Sequence, residues 1–152
     1  MVDAQKLGFA IEPSEAADLA RLGAKITDAA TEQIGFHHPV ISDWEHYSFC
    51  QFSSMENFAE DCVTFKSAVS VKPGKIDRSP TGTALSAKMA VLEARKELRV
   101  GQRVKAISII GSTFEGIIVE KCRVNATPAI IPEISGRAWV TGIHQHILEP
   151  SD

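Results

Sequence analysis

The segment Asp77-Arg78-Ser79-Pro80-Thr81-Gly82-Thr83 puts a carboxylate, three hydroxyls and a glycine at the point where a helix begins. Pro80 suits a first helical turn, and the hydroxyl residues around it suit capping. A first turn made of Gly82 and small neighbours also presents backbone N–H groups, and the positive end of the helix dipole, to whatever lies before it. That is the chemistry of an anion site. Internal capping by the same hydroxyls is the competing reading, since most helices satisfy their first turn themselves. Elsewhere, His144 and His146 alternate along a segment that reads as a strand and so share a face, but no third ligand is placed beside them, and no metal is expected. His37, His38 and His46 read as loop and strand residues, with His38 before Pro39 suited to shaping a turn. Cys50, Cys62 and Cys122 are odd in number and lack the spacing of a zinc or redox pair, which predicts reduced thiols. Cys50 and Cys62 also fall in apolar strand patterns, where a thiol packs rather than attacks. No Gly-rich phosphate loop occurs, and no cofactor is expected.

The elements that must position these residues follow from periodicity. A helix opens at Pro13-Ser14, with Leu19, Leu22, Ile26, Ala30 and Ile34 on one side and charged residues on the other, and Gly35 stops it. Residues 6–11, 44–52 and 62–71 read as strands, with a loop over 53–60. Pro73-Gly74 breaks the pattern, and a second helix spans about 81–96. Four strands follow, over 103–110, 113–122, 127–131 and 137–148. Between Thr81 and Leu92 the only charged side chain is Lys88, so the second helix has little solvent face and must be enclosed by other elements. Strands are what the rest of the chain supplies. The class is α+β, a mostly antiparallel sheet wrapped around a central helix.

Composition narrows the partners. With 152 residues, 44% hydrophobic and 23% charged, one domain is expected. Sixteen basic against nineteen acidic residues leave a net charge of -3 and no basic stripe, so nucleic acid is not expected as a partner. No apolar run approaches the roughly 18 residues of a membrane span, so no membrane is expected. Val2-Asp3-Ala4-Gln5-Lys6 does not read as a targeting segment, and a cytoplasmic location is the expectation.

Residues Asp77 to Ala87 resemble the second active-site motif of the proline racemase family, usually D-R-S-P-C-G-T-G-T-S-A. Ser108-Ile109-Ile110-Gly111-Ser112-Thr113-Phe114 and Ile131-Pro132-Glu133-Ile134-Ser135-Gly136, with Ala138 and Gly142, are similar to later landmarks of that family, and His38-Pro39 to an upstream pair. The resemblance implies the carboxyl-terminal half of a two-half enzyme of diaminopimelate epimerase-like architecture, acting without cofactor on a cyclic imino acid in a cleft between halves. A first half, with its own helix and a motif like M-C-G-H-G, has no counterpart in these residues. An isolated half would expose the surface that meets its mate, so self-association is expected.

Carried over by resemblance, Gly82 and Thr83 bind the substrate carboxylate, Asp77 lines the pocket, and Thr81 stands where the family usually has its thiol. Racemisation needs an acid and a base on opposite faces of the α-carbon, and a thiol of reference pKa about 8.5 can serve as either. A threonine hydroxyl is far less acidic, and no histidine or lysine in the motif activates it. With one base left, on the absent half, α-proton removal leads to loss of a leaving group instead. Family members with threonine here resemble trans-3-hydroxy-L-proline dehydratases, which is the leading expectation. Ala84 and Leu85 replace the usual second Gly and its following Thr. A methyl at Ala84 that crowded the carboxylate would make this a degenerate, non-catalytic domain. Racemase or 2-epimerase activity is the third reading.

Overall fold

Alternation over Cys62–Val71 puts Val63, Phe65 and Val69 on one side of a strand and Ala68 and Ser70 on the other. That strand, β3, is central to the sheet in a computed structural model that describes residues 1–148. Its partners are β2 (Phe49–Phe58), antiparallel, and β5 (Arg103–Ser108), parallel. The sheet continues antiparallel through β6 (Thr113–Val124) to β7 (Thr127–Gly136). The two-residue β1 (Val2–Asp3) runs parallel to β2, and the short β4 (Lys75–Ile76) folds back on β3 after the Gly74 turn. The class is α+β as expected, with a mixed sheet in which the β1–β2 and β3–β5 pairings are parallel.

A parallel pair needs a crossover, and β3 reaches β5 through helix α2 (Gly82–Ala94). Leu85, Met89 and Leu92 of α2 pack with Val63, Phe65, Val104, Ala106 and Ile118, and Phe114, Ile130 and Ile134 close over them. Four strands thus curve around one helix. The enclosure is incomplete, because Thr83, Ala87 and Ala94 are exposed: small side chains, not sheet, line that side. Helix α1 (Ala16–Gln33) covers the other face, where Leu19 packs with Cys50, Phe52, Ala68 and Ile109. Its buried stripe runs through Leu19, Ala20, Gly23 and Thr27, with Leu22 and Ile26 at the margin, while Ile34 is exposed. Gly35 ends the helix with φ 72°.

Four expectations fail for tertiary reasons. Residues 6–11 form no strand, because Gln5–Leu7 is a 3-10 turn closed by Gly8 at φ 79°. β2 starts at Phe49 and runs through the segment read as a loop, because β3 pairs with it out to Phe58 despite its polar composition. β7 extends past residue 131 to Gly136, held by β6. Residues 137–148 form no strand, since nothing described pairs with them. His38 does shape a turn: its Nδ1 accepts the Val40 and Ile41 amides at 3.2 and 2.9 Å.

Candidate functional site: an open helix mouth backed by a carboxylate and a hydroxyl

The approach to α2 is fastened before the helix starts. The Asp77 amide donates to the Val69 carbonyl of β3 at 2.9 Å, and Pro80 is fully buried. Between these anchors Asp77 organises the loop. Its Oδ1 accepts the Ser79 amide at 2.9 Å, its Oδ2 accepts the Thr81 hydroxyl at 2.6 Å, and the Thr81 amide donates to Ser79 Oγ at 3.1 Å. Partial burial by itself pushes the Asp77 pKa up. The donors from Thr81, Ser79 and Arg78 outweigh that and hold the carboxyl below its ordinary value. Asp77 is therefore a carboxylate at neutral pH, and an acceptor only.

This network changes what Thr81 does. At an N-cap, a threonine hydroxyl ordinarily accepts from an amide of the first turn. Here Thr81 makes no such bond, because its hydroxyl is turned back toward Asp77. Its backbone sits at φ 62°, ψ 108°, a region that costs a β-branched residue about 1–3 kcal/mol. The first helical bond is Leu85 N–H to the Thr81 carbonyl at 3.0 Å, so the amides ahead of Leu85 have no partner in the helix. Gly82 is half-buried and Thr83 is exposed: the mouth is open. Thr81 thus does not cap the first turn of α2, which an anion site at this helix end would require.

Ala84 and Leu85 are both fully buried, with Leu85 in the core under β6. The Ala84 methyl therefore does not face the opening, and the feared crowding does not arise. At Gly82 an added methyl would meet only Ile134 Cδ1, at 3.8 Å, an ordinary contact. The protein itself leaves room there.

The two later segments noted in the sequence converge on this loop. Ser112 Oγ donates to the Arg78 carbonyl at 3.1 Å and pairs with Ser108 Oγ at 2.7 Å, in a turn that Gly111 permits at φ 83°. Ile134 of β7 flanks Gly82. A cavity of about 760 Å3 opens beside the loop, lined by Arg78, Ser79, Ser112, Arg137 and Trp139 among others but not by Asp77, Thr81, Gly82 or Thr83, so it adjoins the mouth of α2 without including it. Sequence reasoning assigned no role to Ser112. Its place within the Ser108–Phe114 landmark was the available signal.

Among the described residues, none of the set-aside cysteines and histidines hydrogen-bonds to this loop. Cys50 is buried under α1, and desolvation there pushes its thiol up. Cys62 and Cys122 are half-buried and unpaired in disulfides. His144 and His146 stack at 6.3 Å, and among the described residues no third His, Cys, Asp or Glu joins them. Among the described residues no helix is long and apolar enough to cross a membrane.

Removing the Asp77 charge should show in the acid limb of stability. A carboxyl held below its ordinary value contributes stability above its unfolded pKa of about 3.9, and that is lost as pH falls through the folded value. Urea midpoints of wild type and Asp77→Asn should thus differ at neutral pH and converge as pH drops below the ordinary carboxylate range. Parallel curves would show that the charge is not what the loop is built on.

A mixed sheet folded about a helix with an open first turn, and an Asp77–Thr81 carboxylate–hydroxyl pair behind it, defines the class as an α+β domain built around one enclosed helix. The chain belongs to the proline racemase family, whose profile matches residues 1–152. It is similar to the crystal structure of a probable proline racemase from Agrobacterium radiobacter K84 with bound carbonate, at 33% identity and TM-score 0.86 over 99% of this chain and 44% of that one. It is likewise similar to a hydroxyproline epimerase from Agrobacterium vitis with bound trans-4-OH-L-proline, at 32% identity and TM-score 0.86 over 99% of this chain and 43% of that one. The chain thus spans less than half the length of these structures.

Proposed function

We propose that this chain is the carboxyl-terminal half of a cofactor-independent enzyme of diaminopimelate epimerase-like architecture that dehydrates trans-3-hydroxy-L-proline, and that it does not turn over without the companion half. One observation carries the reading: the only proton of the Thr81 hydroxyl is given to an ionised Asp77. Thr81 then has lone pairs to offer and no proton, so it accepts from the substrate's imino N–H or 3-hydroxyl and does not protonate the α-carbon. A second face for inversion is missing. Gly82 and Thr83 amides hold the carboxylate, where negative charge builds as the α-proton leaves toward a base on the companion half. The electrons left at the α-carbon form a double bond to C3, hydroxide departs and takes a proton as water, and the enamine tautomerises to the pyrroline carboxylate. Within the same reading the protein is cytoplasmic, and the surface intended for a companion half drives self-association.

The experiment joins this chain to the companion half and supplies trans-3-hydroxy-L-proline. Pyrroline carboxylate should accumulate, with no D-epimer. For the chain alone, amide NMR should show substrate shifting Gly82 and Thr83 without turnover. A specific observation favours a second reading, epimerisation: one similar structure is a hydroxyproline epimerase. Exchange of the α-proton of trans-4-hydroxy-L-proline with solvent, without loss of water from the 3-hydroxy isomer, would replace dehydration by that reading. A well-folded protein with neither activity nor shifts would leave a degenerate domain. In the joined protein, Thr81→Cys restores a titratable group on the second face. D-proline carrying solvent deuterium at the α-position should then form from L-proline, where the threonine protein forms none.

A further inference from the structure

One peptide plane in the loop before α2 is held at both of its ends. The Arg78 carbonyl and the Ser79 amide belong to the same planar unit. Its carbonyl accepts the Ser112 hydroxyl at 3.1 Å, and its N–H donates to Asp77 Oδ1 at 2.9 Å. The other Asp77 oxygen takes the Thr81 hydroxyl at 2.6 Å. One peptide and one carboxylate therefore connect Ser112 to the Thr81 proton. Backbone bonds alone close the turn that carries Ser112, from the Ser108 amide to the Ser112 carbonyl at 2.8 Å and from the Gly111 amide to the Ser108 carbonyl at 2.9 Å. The side chains add bonds that the turn does not need: the Ser112 amide donates to Ser108 Oγ at 3.1 Å, and the two hydroxyls lie 2.7 Å apart. Each hydroxyl has one proton. Because that of Ser112 goes to the Arg78 carbonyl, which can only accept, Ser108 is the donor within the hydroxyl pair. Ser108 is buried, with the buried Ser67 directly opposite it on β3, so this order is sheltered from water.

We infer that Ser112, held by Ser108, is a positioning residue for the candidate site: it fixes the Arg78–Ser79 peptide so that Asp77 stays placed to take the Thr81 proton. The bonds run in one direction, from the Ser112 amide through Ser108 Oγ and Ser112 Oγ to the Arg78 carbonyl, and onward from the Ser79 amide to Asp77. Hydrogen bonds in such a series polarise one another, so a carbonyl that accepts makes the N–H of its own peptide a stronger donor. Without the Ser112 hydroxyl the peptide is free to rotate about its flanking bonds. The Ser79 amide then leaves Asp77 Oδ1, the carboxylate turns, and the Thr81 hydroxyl loses its fixed acceptor. The consequence for turnover rests on the dehydration reading, in which Thr81 accepts from substrate. The link from Ser112 to Asp77 does not.

Titration of the Asp77 carboxyl by carbon NMR in the 152-residue chain reads that link directly. Ser112→Ala should move its midpoint up toward the ordinary carboxylate value, because a donor to the charged form is loosened. Ser112→Thr, which keeps the hydroxyl, should leave it low. A role confined to the turn would lower the stability of Ser112→Ala without moving the Asp77 midpoint, and that result overturns the inference, as does a threonine variant that behaves like the alanine one. If Ser112→Ala does not fold, the unsubstituted chain decides: the Ser108 and Ser112 hydroxyl protons should exchange slowly enough to be seen by NMR, and free exchange of both sinks the idea. In the protein joined to its companion half, Ser112→Ala should lower kcat/KM for trans-3-hydroxy-L-proline by about tenfold to 100-fold, the scale of a misplaced site group, and Ser112→Thr should restore it. A midpoint that moves in a protein that never dehydrates 3-hydroxyproline keeps the positioning role and removes the dehydration reading. Dehydration with an unmoved midpoint does the reverse.

Discussion

Replacing Gly82 by alanine is expected to give a protein that is more stable and binds its anion much less well. The stability gain comes from helix propensity: alanine within a helix is favoured over glycine by about 0.5–1 kcal/mol. Nothing in the fold opposes it, since the new methyl would meet only Ile134 Cδ1, at 3.8 Å. For a domain of this size the melting temperature should rise by about 1–4 °C. The loss comes from the same methyl, which occupies the space over the first-turn amides that a carboxylate must approach closely. Substrate shifts at Thr83 should weaken by at least about tenfold, or 1.4 kcal/mol. In the joined enzyme kcat/KM should fall by roughly 100-fold or more, the scale of losing an oxyanion-type donor. Calorimetry and an amide NMR titration on the same sample suffice. A raised melting temperature with undiminished binding would remove the mouth of α2 from the site.

The other glycine with a large expected effect behaves in the opposite sense. A methyl at Gly23 would lie 2.3 Å from Ser70 Cβ, 2.6 Å from Ser70 Oγ and 3.1 Å from Phe52 Cε2. These neighbours cannot yield. Phe52 and Ser70 are buried in paired strands, and Ser70 Oγ donates to the Ala20 carbonyl at 2.9 Å. Overpacking should cost about 1–3 kcal/mol, and displacing Ser70 from a buried hydrogen bond about 1–3 kcal/mol more. Alanine returns at most about 1 kcal/mol of helix propensity. The net loss is a large share of the roughly 5–15 kcal/mol that holds a typical domain together. Gly23→Ala should therefore melt well below wild type, by about 5–15 °C, and Ser70→Gly in the same chain should recover much of it. A melting temperature within a degree or two of wild type would mean that α1 does not pack as closely on β3 as the structure places it.

How much of this was readable beforehand depends on the range of the interactions. Periodicity and turn residues located α1, α2 and β3, because amphipathic alternation and stop residues are written within a few positions of each other. The helix start at Pro80 and the grouping of Asp77, Thr81, Gly82 and Thr83 were legible for the same reason. β2 beyond Phe52 was not, because Ser53, Ser54 and Asn57 carry no strand signal and are held extended by β3. Residues 137–148 show the converse, a strand composition with no described partner to make it one.

At the candidate site the division is sharper. The order of residues alone determined that a glycine and small polar groups would open a helix. Only the folded chain decided that the Thr81 hydroxyl turns to Asp77 rather than capping α2, that Ala84 faces inward, and that Ser112 braces the loop from a strand end 31 positions away from Thr81. The physical reason is that a hydroxyl has one proton and competing acceptors nearby, and which one receives it is set by where β3 and β5 anchor the loop.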